Sequence, residues 1–250
     1  MWKTERENAI RVCVRVRPLN EKERQTSKDI ADVSMKHNTI TIKDPKGDKF
    51  DPVDVLHRSY EKSFAFQKVF DTTCDQSRIH QETTSGLAEF VCRENHTSVF
   101  AYGATGSGKT YTMLGDRKNP GVIVRVLNDL FRDIGNKSVQ MSYMEIYNET
   151  IRDLLVRRSK KLPLRAAGRG QVEVAGLTKT RVRTLSDAMH LLAEGTFIFE
   201  ANSKTFVAVS MSPLLHQPRT SVFKVTTSGF ASLVALIVST RCMASSIAFC

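Results

Sequence analysis

The sequence predicts an α/β fold with a largely buried central sheet, and three observations predict it. Strand-like and helix-like segments alternate along residues 9–195. A glycine-rich turn, Gly103 to Gly108, joins an apolar strand-like run to a helical one. The chain is also long enough for a sizeable core: 250 residues, 41% hydrophobic and 25% charged. That is ordinary globular usage, and it excludes wholesale disorder and collagen-like fibre.

The elements follow in order. Ile10, Val12, Val14 and Val16 alternate with Arg11, Cys13, Arg15 and Arg17 in a first strand that Pro18 stops. Residues 20–49 are polar and charged, with one short alternating piece at 40–42, and read as surface hairpin and loop. Phe64, Phe66, Val69 and Phe70 form an aromatic anchor expected in the core. Ile79, Thr83, Leu87, Phe90 and Val91 are spaced for a helix over 75–94. A strand is expected over 98–102, a helix after the glycine turn, and a strand over 139–147. Asn148 would cap a short helical turn over 149–155. A basic run then leads to a strand-like piece at 171–175. Thr184 and Asp187 cap a helix carrying Leu185, Ala188, Met189 and Leu192, which Gly195 is expected to end.

Charge and cysteine usage narrow the partners and the compartment. Lys and Arg number 37 against 26 Asp and Glu, a net charge of +11, which favours an acidic partner. The first residues hold no apolar core of a secretory signal. Cys13, Cys74, Cys92, Cys242 and Cys250 are odd in number and contain no Cys-x-x-Cys, so reduced, mostly buried thiols of a cytosolic protein are expected. Residues 229–250 contain one charge, Arg241, and form an atypical apolar segment. Its uninterrupted apolar piece, 233–238, is far short of the roughly 20 residues that span a bilayer, so a buried strand or an abnormal C-terminus is expected rather than an anchor. No heptad or internal repeat encodes a coiled coil.

The chemistry lies in Gly103-Ala104-Thr105-Gly106-Ser107-Gly108-Lys109-Thr110, a complete G-x-x-x-x-G-K-T phosphate loop. Its glycines let successive backbone N–H groups turn towards phosphate oxygens with no Cβ in the way. Lys109 supplies a point charge for the β- and γ-phosphates, and the Thr110 hydroxyl suits Mg²⁺. Nucleoside triphosphate binding follows.

The run Phe100 to Met113 around this loop resembles the phosphate-loop signature of the kinesin motor domain. Three further blocks stand in kinesin order. Val14-Arg15-Val16-Arg17-Pro18-Leu19-Asn20 resembles the family's first-strand motif. Phe64-Ala65-Phe66-Gln67-Lys68-Val69-Phe70 resembles its Phe-x-Phe-Asp-x-Val-Phe block, with Gln67 where an acid is usual. Ser142 to Leu155 resembles its strand-and-turn signature, in a form similar to the centromere-associated kinesins.

The resemblance implies a P-loop NTPase of kinesin motor type, with a central, mostly parallel sheet flanked by helices. Residues 9–228 would be a partial motor domain, incomplete at its C-terminus. Arg15, Arg17 and Pro18 would shape the adenine pocket, with Tyr111 among the nucleotide-binding residues, and Gly103 to Thr110 would hold ATP and Mg²⁺. His80 stands where the family often has an aromatic residue near the base; by itself it reads as an exposed helix histidine. The implied partner is the microtubule, in the cytoplasm, the spindle included. Arg157, Arg158, Lys160, Lys161, Arg165 and Arg169 fall where the family places a tubulin-touching lobe, and the alternative is an ordinary basic surface loop.

The pattern fails after residue 195. The family's first switch, Asn-x-x-Ser-Ser-Arg-Ser-His, is replaced by a run from Ser210 to Phe223 containing Pro213 and Pro218. Arg219 and Ser221 stand as its only candidate remnants. The second switch, Asp-x-Ala-Gly-x-Glu, does not appear in the chain. The expectation is a chain that binds nucleotide with impaired hydrolysis, derived from an incomplete or mis-spliced gene product, with apolar surface exposed near 233–238. Two alternatives stand beside the motor reading. One is a non-motile, nucleotide-gated microtubule-binding module. The other, a P-loop protein acting on nucleic acid, is disfavoured by the absence of aromatic stacking platforms amid the basic residues.

Overall fold

The computed structural model describes residues 10–43, 61–93, 97–104, 106–135, 139–147, 149–166, 172–199, 206–213, 223–224, 227–228 and 233–239. β1 (Ile10–Val16) forms where the alternating valines demand it, with Cys13 and Val14 fully buried. The next polar stretch holds an unforeseen helix, α1 (Glu21–Thr26). Asn20 and Glu23 close a reciprocal capping box there: Glu23 N–H donates to Asn20 Oδ1 at 2.9 Å, and Asn20 N–H to Glu23 Oε2 at 2.8 Å. β2 (Ala31–Ser34), β3 (Thr39–Ile42) and β4 (Lys62–Ala65) make a small antiparallel sheet over Ile40, Val16 and Val69.

The aromatic anchor divides. In β5 (Lys68–Phe70), Val69 and Phe70 are buried, and Phe66 packs half-buried beside them. Phe64 instead lies on the edge strand β4, 48% exposed, as all four residues of that strand are exposed. The expected single helix over 75–94 is two helices, α2 (Gln76–Thr83) and α3 (Leu87–Cys92). Gly86, at φ 87°, breaks the path between them.

β6 (Thr97–Tyr102) runs into the glycine loop and α4 (Lys109–Met113) leaves it. α5 (Val122–Asp133) buries Val122, Ile123, Val126, Leu127 and Leu130 on one face. Burying such side chains contributes about 1.5–3 kcal/mol each, so α5 is a main anchor of the core. β7 (Val139–Tyr147) pairs with β8 (Thr150–Asp153) in a hairpin, which corrects the expected helical turn over 149–155. Glu149, at φ 58°, makes the tight reversal, and Ile151 and Asp153 alternate inward as strand residues do. Asn148 lies outside the described residues.

β9 (Leu164–Ala166) and β10 (Val172–Val174) form a two-stranded ribbon, and β11 (Thr180–Val182) joins β7. α6 (Leu185–Phe199) starts where Thr184 and Asp187 exchange hydrogen bonds of 3.0 and 3.1 Å. It continues through Gly195, contrary to expectation. A Cβ there would stand 2.1 Å from the Tyr143 ring, so the glycine lets α6 approach β7 and ends nothing. β12 (Phe206–Pro213), β13 (Phe223–Lys224), β14 (Thr227–Ser228) and β15 (Leu233–Ser239) complete the described elements.

The central sheet runs β13–β6–β15–β1–β5, with β14 also on β6. It is mixed, where a mostly parallel sheet was expected, because β15 enters it antiparallel. β5 pairs parallel with β1, and β13 and β14 pair parallel with β6. β15 lies antiparallel between β1 and β6, with a partner along each backbone edge. The apolar run at 233–238 is therefore a central strand. The second sheet, β11–β7–β12 with β8 on β7, is antiparallel throughout. Cys13 and Cys74 are buried and Cys92 partly so, all as free thiols; Cys242 and Cys250 lie outside the described residues. No helix among the described residues is long and apolar enough to cross a membrane.

Candidate functional site

The site is built where β6 ends and α4 begins. Gly106 and Gly108 hold φ of 83° and 95°, values that side-chain-bearing residues seldom adopt, which turns the loop into a cradle. No heavy atom lies within 4 Å of where a Gly106 Cβ would be, so its backbone conformation, not crowding, calls for glycine. Ser107 N–H donates to Ala104 C=O at 3.1 Å, closing the turn. The first N–H groups of α4 have no intrahelical acceptor, as at any helix start.

Lys109 folds back over the loop, with Nζ donating to the Gly103 and Ala104 carbonyls at 2.7 and 2.6 Å. Burial lowers its pKa, because the charged ammonium loses water there. An ammonium held by carbonyl dipoles is ready to exchange them for phosphate oxygens. Ser107 Oγ is buried without a partner among the described residues, a polar atom that a ligand oxygen would satisfy. Thr110 is exposed. One hydroxyl suits Mg²⁺, which keeps several waters and takes the rest of its ligands from substrate phosphates. Among the described residues no cluster of His, Cys, Asp or Glu offers a metal cage. Thr105 lies outside the described residues.

Arg15 on β1 and Arg17, just past the strand's end, both come to this region, and they sit differently. Arg15 turns inward: Nη1 donates to Gln76 Oε1 at 3.1 Å and Thr112 Oγ1 at 3.0 Å, and Nη2 to Cys74 C=O at 3.5 Å. Its guanidinium also lies 5.2 Å from the centre of the Tyr111 ring. Burial lowers the Arg15 pKa, and the Tyr111 side chain opposes that shift. Arg17 instead pairs with Glu23 of α1 at 2.5 Å, while its stem lies beside Gly108. Pro18 is exposed, and Tyr111 is 42% exposed beside the loop.

Gln76, a residue the sequence reading passed over, completes the framework. It is 1% exposed, and its Nε2 donates to the Tyr111 carbonyl at 2.5 Å. A lone glutamine at a helix start carries no sequence signal of this kind. Glu23 had one: Asn20 followed three residues later by Glu is a capping-box pattern. His80 is neither exposed nor open to a base. It is buried, with Nδ1 2.8 Å from Thr84 Oγ1 and Nε2 3.0 Å from Asp129 Oδ2 of α5.

The sequence profile described as the kinesin motor domain matches residues 15–212, which hold the loop, both arginines, and β5, β6 and β7. The chain belongs to the kinesin motor domain family. Kinesin-like protein KIF19 of Mus musculus is 42% identical over 198 residues, covering 76% of this chain and 20% of that protein. Kinesin-like protein KIP3 of Saccharomyces cerevisiae is 41% identical over 143 residues, 54% of this chain and 18% of its own length. Centromere-associated protein E of Homo sapiens is 36% identical over 196 residues, 76% of this chain and 7% of that protein. The likeness to centromere-associated kinesins is thus one among several. The chain spans about a fifth of the length of the KIF19 relatives it matches.

In kinesin order, the basic lobe follows β8. Arg157, Arg158, Lys160, Lys161 and Arg165 are all exposed, and Arg158 takes φ 58° in the turn. Arg169 lies outside the described residues. Arg165 stands opposite Glu173 across the β9–β10 ribbon, whose other face carries Leu164, 43% exposed, and Val172, 58% exposed. Residues 210–213, at the head of the altered switch run, belong to β12. They pair with 142 down to 139 of β7, and Pro213 closes the ladder. Pro218, Arg219 and Ser221 lie outside the described residues.

Proposed function

We propose that this chain is the ATP-binding, microtubule-engaging part of a kinesin-like motor, with impaired hydrolysis. The observation that carries the nucleotide reading is the complete phosphate loop, with Gly106 and Gly108 in left-handed backbone and Lys109 folded onto the loop carbonyls. Lys109 would leave Gly103 and Ala104 to neutralise the β- and γ-phosphates, and the loop N–H groups would orient them. Mg²⁺, bound at the Thr110 hydroxyl, would neutralise charge between the phosphates. Arg15 fixes the Tyr111 ring, which with Pro18 and Arg17 would flank the base. The exposed cations from Arg157 to Arg165 would meet acidic tubulin in the cytoplasm, Arg169 with them.

Impaired hydrolysis is supported from within the chain. A switch must move to reach the γ-phosphate, yet residues 210–213 are engaged in the β12–β7 ladder and Pro213 fixes its own φ. A nucleotide-gated, non-motile microtubule-binding module is the second reading, favoured by that same ladder.

The test is titration with a fluorescent ATP analogue and Mg²⁺. Wild type should bind, and Lys109→Ala should weaken binding by about a hundredfold, as loss of charge-assisted phosphate contacts implies. Equal affinities would overturn the nucleotide reading. Phosphate release with saturating microtubules should stay at the level of the Lys109→Ala variant; a rate clearly above it would mean that the altered run still works as a switch.

A further inference from the structure

We propose that Glu23 is a positioning residue for nucleotide recognition: it holds Arg17 beside the phosphate loop so that Arg17 reads the base-bearing end of the nucleotide instead of its phosphates. This rests on the nucleotide reading above and adds a residue to which the family resemblance gave no role.

Arg17 Nη2 donates to both Glu23 carboxylate oxygens, at 2.5 and 2.7 Å. The carboxylate is itself held, because Oε2 also accepts the Asn20 N–H at 2.8 Å and Glu23 N–H is bound by Asn20 Oδ1. The Asn20 N–H first, and Arg17 second, keep the Glu23 carboxyl below the ordinary carboxylate range, so it is ionised at neutral pH. Arg17 Cδ lies 3.5 Å from where a Cβ on Gly108 would stand, which puts the side chain against the loop itself. Its Nε is buried without a partner among the described residues.

Charge and geometry decide what such an arginine does. An unpaired guanidinium beside a phosphate cradle is drawn to phosphate, its best bidentate acceptor. Pairing with Glu23 engages Nη2 and offsets the charge. What remains is a flat apolar stem with the Nε and Nη1 N–H donors, suited to a neutral acceptor on a base or sugar. The Asn20–Glu23 box thereby connects the start of α1 to the nucleotide site.

The experiment compares affinity for Mg-ATP with affinity for inorganic tripolyphosphate plus Mg²⁺, which lacks base and sugar, by displacement of a fluorescent nucleotide. Glutamine fits the same capping box, so Glu23→Gln should keep the wild-type melting temperature. It should reduce the preference for ATP over tripolyphosphate by about tenfold, the scale of one charge-assisted contact. Asn20→Ala, which removes the cap but keeps the carboxylate, should lower the melting temperature and leave the preference unchanged. With Arg17→Ala already present, Glu23→Gln should add nothing. If wild type binds ATP and Glu23→Gln retains the full preference, the proposal is overturned, as it is if Asn20→Ala alters the preference equally. Absence of ATP binding in wild type would overturn the nucleotide reading as well.

Discussion

Gln76, in the first turn of α2, donates its side-chain amide to the Tyr111 carbonyl of α4 at 2.5 Å. The same side chain accepts from Arg15, so strand β1, helix α2 and the helix beneath the phosphate loop meet at one buried glutamine. Gln76→Leu keeps the bulk and removes both hydrogen bonds. Leaving the Arg15 donor and the Tyr111 carbonyl short of a partner should cost about 1–3 kcal/mol. Urea unfolding should register that loss, together with weaker ATP binding. An unchanged unfolding midpoint would mean that the clamp contributes nothing.

Gly195 tests the packing of α6 on β7. An added Cβ would stand 2.1 and 2.3 Å from Tyr143 Cδ1 and Cε1, a forced overlap in a filled core. Gly195→Ala should therefore destabilise by about 1–3 kcal/mol despite alanine's better helix propensity. If Gly195 merely ended the helix, alanine would be neutral or stabilising, and a thermal melt separates the two.

His80 predicts a pH dependence. Burial lowers its pKa below the ordinary 6.5, outweighing Asp129, while Arg125 and Arg132 push the same way as burial. The unfolded chain therefore binds a proton more readily than the folded one. His80 contributes stability above pH 6.5 that is lost as pH falls from there through its folded-state value. His80→Gln should flatten the fall in unfolding free energy over that window. An equally steep fall in the variant would assign the pH dependence to other groups.

The basic lobe predicts salt-sensitive docking. Arg157, Arg158 and Lys160 are exposed and form no ion pair among the described residues. Reversing all three to Glu should weaken microtubule co-sedimentation by roughly tenfold or more, and added salt should weaken wild type in the same direction. Pelleting that ignores both changes would make the run plain solvated surface.

The nucleotide loop was legible because its requirements are local. Gly106 and Gly108 serve backbone angles, and Lys109 and Thr110 follow at the spacing the motif fixes along one stretch of chain. The same holds for β1, whose valines alternate, and for the start of α6, where Thr184 and Asp187 satisfy each other across three residues. Local signals were also present but overlooked at Asn20 and Glu23, in a stretch whose polarity read as loop.

Other features depend on groups distant in sequence. Residues 149–155 have no strand pattern strong enough to outweigh a capped turn; pairing with β7 makes 150–153 a strand, because the ladder satisfies their backbone groups. Gly195 looks like a helix stop until the Tyr143 ring, 52 positions earlier, is seen to need its missing Cβ. Arg15 and Arg17 are alike in the motif and two residues apart, so alternation predicts one side for both, although β1 itself ends at Val16. In the sequence the two are equivalent, both expected near the nucleotide. The fold separates them: Arg15 is clamped inside by Gln76, Thr112 and Tyr111, while Arg17 is held at the loop by Glu23. A guanidinium goes to whichever acceptors the fold brings within reach, and those lie on α1, α2 and α4.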